Sequence, residues 1–135
     1  MDRSVLVDAG FLVALLSRRD RHHRWAAMQA PRFPPPWITC EAVLSETFHL
    51  LGTTGESRLA ELLRRSAVMP SFDLSNELEP VLKLMRKYAN LPMSLADACI
   101  VRMTEILPGP VVLTTDDDFR IYRRHSRQVV PCVMP

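Results

Sequence analysis

No apolar run in this 135-residue chain approaches the roughly 18 residues that a membrane-spanning helix requires, so a helical membrane protein is excluded. The opening stretch, MDRSVLVDAGFLVALL, is interrupted by Asp8 where a secretory signal would be purely apolar, and a cytoplasmic protein is expected. Cysteine is sparse. Cys40, Cys99 and Cys132 stand far apart, form no C-x-x-C pair and are odd in number, which points to reduced, buried thiols rather than a disulfide framework. His22, His23, His49 and His125 lack the spacing of zinc ligands. The net charge of +2 is too small to indicate nucleic-acid binding by itself. There is no internal repeat, and the only biased tract is Pro34-Pro35-Pro36. What remains is ordinary globular composition, 47% hydrophobic and 24% charged, at a length that suits one compact domain over residues 1–135 with one active site.

Hydrophobic patterning then gives an order of elements. Ser4 to Val7 is a short β-branched run, and it ends at Asp8 before an apolar helical stretch, Phe11 to Leu16. A second helix over Trp25–Gln29 must stop before Pro31 and the proline run. Thr39 is a suitable N-cap for a helix from Cys40 to Leu51 that Gly52 stops, and another helix is expected over Glu56–Ser66. A strand is expected over Val68–Phe72, then a helix capped by Asp73 or Ser75 and running to Tyr88. Ser94 starts a helix to about Ile106, and Pro108-Gly109-Pro110 breaks it ahead of the buried strand Val111–Leu113. A last strand is expected within Gln128–Val133. Strands separated by helices imply right-handed crossovers, hence an α/β fold with a mainly parallel sheet and helices on both faces. Ligands of such folds bind beyond the carboxyl ends of the strands.

Acidic residues stand at those ends. Asp8 follows the first strand, where capping the next helix explains it as well as a site does. Glu46 lies at the border of an apolar stripe, with Val43 and Leu50 at i−3 and i+4; the edge of a solvated face is its simpler reading. Glu41 competes with it, but the helix dipole already accounts for an acid in a first turn. Asp97 fits a capping box begun by Ser94, a role compatible with ligation. Asp116, Asp117 and Asp118 follow a hydrophobic strand as three consecutive acids, an arrangement that is costly unless solvent or a cation offsets the repulsion. Asp116 is nearest the strand, with Asp118 two residues on. Converging carboxylates suit Mg²⁺ or Mn²⁺, and phosphodiester hydrolysis is the natural chemistry for such a centre.

Taken in order, these residues resemble the PIN-domain family, and within it the VapC-type toxins of bacterial and archaeal toxin–antitoxin pairs. The likeness spans nearly the whole chain: Val5 to Leu16 with Asp8, Arg19 to Ala26, Thr39 to Leu51 with Leu44-Ser45-Glu46, Met93-Ser-Leu-Ala-Asp97-Ala98, and Leu113-Thr114-Thr-Asp116-Asp-Asp118-Phe119. The resemblance implies a three-layer PIN-like fold in which Asp8, Glu46, Asp97 and Asp116 hold Mg²⁺ or Mn²⁺ and Asp118 assists. It further implies a metal-dependent endoribonuclease that leaves a 5′-phosphate and a 3′-hydroxyl, forms homodimers and is silenced by a cognate antitoxin. One departure stands out. Ala9 occupies a position where many family members carry Thr or Ser, so a hydroxyl able to position water is missing there.

Basic residues near the acids would hold the flanking phosphates of RNA. Arg18, Arg19, Arg21 and Arg24 form one group and Arg120, Arg123, Arg124 and Arg127 a second; a solubilising surface explains each equally well. Trp25 and Trp37 offer stacking surfaces, with core packing the simpler reading. Leu50, Leu51, Leu59, Leu62 and Leu63 serve either an apolar interface or the core. A phosphoacceptor receiver domain would need a late strand-end lysine, yet Lys83 and Lys87 are the only lysines and both fall in an expected helix. A haloacid-dehalogenase-type phosphatase would need Asp-x-Asp after the first strand, and position 10 is Gly. The rival from another class is a catalytically inactive module that binds RNA or an antitoxin.

Overall fold

The computed structural model describes residues 2–135. Five parallel strands form the central sheet: β1 (Ser4–Val7), β2 (Trp37–Thr39), β3 (Val68–Pro70), β4 (Pro110–Leu113) and β7 (Cys132–Val133), in the spatial order β3-β2-β1-β4-β7. Five helices connect them: α1 (Ala9–Leu16), α2 (His23–Gln29), α3 (Glu41–Arg64), α4 (Leu78–Lys87) and α5 (Leu95–Ile106). The chain steps outward from β1 through β2 to β3 and then returns past β1 to β4. Right-handed crossovers therefore put α1 to α3 on one face and α4 and α5 on the other. The expected α/β architecture, a parallel sheet between two helical layers, is what the chain adopts.

Burial explains the middle strand. All four residues of β1 are buried, as a strand covered on both faces must be, and Leu6 and Val7 have no exposed surface. Phe11 extends the core by meeting Trp25 and Trp37 edge to face, with ring centroids 6.1 and 5.6 Å away. Both tryptophans thus serve packing, and the Trp37 indole N–H donates to the Phe33 carbonyl at 2.7 Å.

Several boundaries differ from expectation for identifiable reasons. Three residues after the proline run are too few to show strand alternation, so β2 leaves no signal in the sequence, and the helix cap moves from Thr39 to Cys40. Thr39 instead belongs to the sheet, its hydroxyl donating to the Val7 carbonyl at 2.8 Å. Gly52 kinks rather than separates: at φ 60° and ψ −150°, a conformation open essentially to glycine, it joins two helical segments into α3. The expected terminal strand is two elements. Gln128–Val129 (β6) pairs antiparallel with Arg123–Arg124 (β5) in a small hairpin, and β7 alone joins the main sheet.

Candidate active site

The strand order creates the site. The connections diverge on either side of β1, and the crevice beyond the carboxyl ends of β1 and β4 is where an open parallel sheet leaves room for a ligand. Val7 and Leu113, the last residues of these strands, stand in register, so Asp8 and Thr114 leave the sheet side by side.

Asp8 is 5% exposed and fully tied to the protein. One carboxylate oxygen accepts from the Phe11 N–H at 2.9 Å, making Asp8 the N-cap of α1, and the other accepts from the Thr114 hydroxyl. Thr114 is an acceptor as well as a donor. Its Oγ accepts the Asp116 N–H at 2.9 Å, so one hydroxyl joins the two acids. Asp116 in turn caps the short 3-10 turn over Asp117–Arg120 by accepting the Asp118 N–H at 2.9 Å. Gly10 allows the close approach of these loops, since a Cβ there would lie 2.3 Å from the Thr115 hydroxyl.

Asp97 stands on α5, in the layer opposite α1, and its charge acts on Asp8. Ser94 caps α5 by accepting the Asp97 N–H at 3.0 Å, but the Asp97 carboxylate does not close the capping box. It accepts from the Tyr122 hydroxyl at 3.0 Å. The capping explanation therefore covers the Asp97 backbone and leaves its side chain facing the other acids. Glu46 is exposed on α3, and its charge still acts on Asp97. Asp118 is half-buried at the rim.

The acids influence one another's protonation. Burial pushes the Asp8 carboxyl up from 3.8 to about 7, against the lowering pull of Thr114 and Phe11, and the charges of Asp97 and Asp116 push it in the same direction. Asp97 rises to about 6, first through burial and then through Asp116, Glu46 and Asp118, with the Tyr122 hydrogen bond opposing. Asp118 is also raised, by burial and by Asp116 and Asp117. No basic side chain forms a salt bridge with Asp8, Asp97 or Asp116 among the described residues.

Uncompensated negative charge on buried oxygen donors suits a hard divalent cation. The fit is one of chemistry: the hydrogen bonds just described hold the oxygens, and among the described residues no three His, Cys, Asp or Glu side chains close into a ligating group. The residues that patterning alone does not single out are Thr114 and Tyr122, the donors that hold Asp8 and Asp97. Thr114 lies inside the last acidic motif, and its hydroxyl stands against the acid whose neighbour Ala9 lacks one.

The PIN domain model matches residues 5–124. The chain belongs to the PIN-domain family. This PIN domain also matches the fold of VapC20 of Mycobacterium tuberculosis, a toxin that cleaves the sarcin–ricin loop, with a TM-score of 0.69 and 24% identity over 85% of this chain and 92% of that one. No curated protein sequence matches. No helix among the described residues is long and apolar enough to cross a membrane.

The basic groups divide differently from their order in sequence. Arg123 donates to the carbonyls of Arg120, Ile121 and Tyr122, and Arg124 to those of Thr104 and the Gln128 side chain. Arg120 pairs with Asp117 at 3.4 Å. The group after the last acidic motif is thus largely engaged in holding its own turn and hairpin. Of the leucines, Leu51 and Leu59 are core, Leu62 and Leu63 pack against it, and Leu50 is 57% exposed.

Proposed function

We propose that this PIN domain is a metal-dependent endoribonuclease, the toxin of a type II toxin–antitoxin pair. The observation that supports the reading is that the Thr114 hydroxyl joins Asp8 to the Asp116 amide at the carboxyl edge of β1 and β4, while the charges of Asp97 and Asp116 act on Asp8 and none of the three has an ion-pair partner among the described residues. Likeness in fold to an RNA-cleaving toxin supports RNA as substrate. Asp8, Asp97 and Asp116, with Glu46 and Asp118 at the rim, are the side chains that would hold Mg²⁺ or Mn²⁺. Bound there, such an ion would neutralise the pocket for a polyanionic substrate and would supply Lewis acidity at the phosphoryl group.

The protein's own residues supply the rest. Thr114, just after β4, holds the Asp8 carboxylate and the backbone of Asp116 in one arrangement. Tyr122 keeps the Asp97 carboxylate turned toward the crevice. Burial keeps water away from Asp8 and strengthens its interaction with any bound charge. A homodimer in the cytoplasm, inhibited by an antitoxin that covers the acidic edge, completes the reading. The alternative, an inactive module that binds RNA or antitoxin, is favoured by the want of a closed ligating triplet among the described residues.

Incubating purified protein with total RNA, with Mg²⁺, with Mn²⁺ and with EDTA, separates the two. The nuclease reading expects cleavage that needs the metal and falls roughly a hundred- to a thousandfold in Asp97→Asn. Binding of RNA without cleavage in either metal establishes the inactive module instead.

A further inference from the structure

One cavity lies away from the carboxylates. About 890 Å³ in volume, it is walled by α4, by α5 and by the hairpin turn at His125 and Ser126. That size suits a ligand or a chain segment. Its charge is opposite to that of the sheet edge. Lys83, Arg86 and Lys87 enter it from α4 at positions i, i+3 and i+4, which lie on one helical face. Two acids line the same cavity: Glu105 is already engaged by Arg102 at 3.1 Å and by the His125 N–H at 2.7 Å, and Glu79, one turn before Lys83 on α4, is outnumbered by the three cations of that helix. Lys87 donates to the Ser126 carbonyl at 3.0 Å and fixes the hairpin against α4. Lys83 and Arg86 are exposed, and among the described residues neither has an acidic partner.

A short relay joins this cleft to the acids. The Lys87 ammonium stands 5.3 Å from the Tyr88 ring centroid, Tyr88 packs on Tyr122 at 5.2 Å, and Tyr122 donates to Asp97. The Tyr88 hydroxyl also accepts the Arg123 N–H at 2.9 Å, so hairpin and helix are held as one wall. A polyanion drawn to the acidic edge needs cations beside it, because that edge alone repels phosphate. Arg120, Arg123 and Arg124, nearest the acidic motif, are engaged within their own turn and hairpin, whereas Lys83 and Arg86 of α4 have no acidic partner among the described residues.

We propose that the cleft between α4, α5 and the hairpin is a phosphate-binding subsite for RNA flanking the scissile bond, with Lys83 and Arg86 as the contacting cations. The proposal rests on the ribonuclease reading above and assigns the substrate's backbone to a surface outside the carboxylate edge. An acidic protein segment is the competing occupant.

The test is K83E/R86E, which keeps Lys87 and its hairpin contact, beside K83Q/R86Q and a control, R58E/R65E, on exposed positions of α3 and its end. Fluorescence anisotropy with labelled oligouridylate in EDTA reads binding, and melting curves establish that each variant is folded. The expected result is binding weakened roughly tenfold or more at low salt, and a salt dependence shallower by about 1.4 in the log–log slope, since each lost contact to a single strand removes about 0.7. With Mg²⁺, KM for RNA cleavage rises while kcat holds, and the control changes neither. Unchanged affinity and slope in K83E/R86E, with wild type binding and cutting RNA, overturns the subsite and leaves the nuclease intact. Loss in the control equal to that in the cleft variant, or saturable binding of polyglutamate to the cleft that RNA does not displace, likewise overturns it. A wild type that neither binds nor cuts RNA removes the ribonuclease reading and the subsite together.

Discussion

The acidic edge and the cationic cleft solve opposite problems with opposite structures. At the edge, Asp8 is buried, and Asp8, Asp97 and Asp116 are each held by a hydrogen bond from Thr114, Phe11, Tyr122 or a backbone amide. In the cleft, Lys83 and Arg86 stand in solvent without acidic partners. Buried like charges have one tolerable arrangement, which must be built by donors and completed from outside. Exposed charges need no such support and cost little. Charge at the edge is therefore coupled to folding, and the charge of Lys83 and Arg86 is not.

The largest effect expected from this contrast is on stability without metal. Because the Asp8 carboxyl is raised from 3.8 to about 7 on folding, and Asp97 to about 6, the folded chain keeps protons that the unfolded chain has released. Their contribution is complete below pH 4 and is lost as pH rises to about 7, so these groups lower stability steadily across that window. Asp8→Asn should flatten the decline and melt higher than wild type at pH 8 in EDTA. Mn²⁺ should raise the wild-type melting temperature at pH 8 and leave Asp8→Asn nearly unmoved, as differential scanning fluorimetry would read. If both proteins show the same pH profile, the edge is not charged in the way described.

Thr114→Val comes next, since it preserves shape while removing the donor to Asp8 and the acceptor of the Asp116 amide. A loss of about 1–3 kcal/mol is expected by urea unfolding, the range for buried groups left unpaired. The acid limb of the cleavage profile should also move to higher pH, because a lowering influence on Asp8 is gone. Tyr122→Phe removes one donor from the less buried Asp97 and should cost about 1 kcal/mol, again shifting the profile upward. The smallest effect belongs to the cleft: Lys83→Gln should change stability by no more than about 0.5 kcal/mol, since it touches only a solvated side chain. A larger loss there would break the contrast by showing that the cleft, too, is coupled to folding.

Much of the fold is legible in the sequence because burial leaves a pattern. β1, α1, α4, α5 and β4 declare themselves through apolar runs, through Asp8 and Ser94 as caps and through the breaks at Asn90-Leu91-Pro92 and Pro108-Gly109-Pro110. Elements of two or three residues carry little pattern: β3 is legible at Val68, but β2, directly after the proline run, goes unseen, and the last two short strands look like one. The acids can be named one at a time, yet none can be told from a cap or a solvated turn without its neighbours. Arg120, Arg123 and Arg124 illustrate the converse, since adjacency to the acidic motif suggests RNA contacts while the hairpin they stabilise has no signal of its own.

By itself the sequence determined the local chemistry: which segments are apolar enough to be strands, where helices can start, and that carboxylates follow two of the strands. Such properties depend on residues within a few positions of one another. Only the tertiary structure decided that β1 lies beside β4, that Thr114 and Tyr122 serve Asp8 and Asp97, and that Lys83 and Arg86 of α4 line a cleft with α5 and the hairpin. Those are contacts between residues as much as 106 positions apart, set by sheet order and crossover handedness rather than by any local preference.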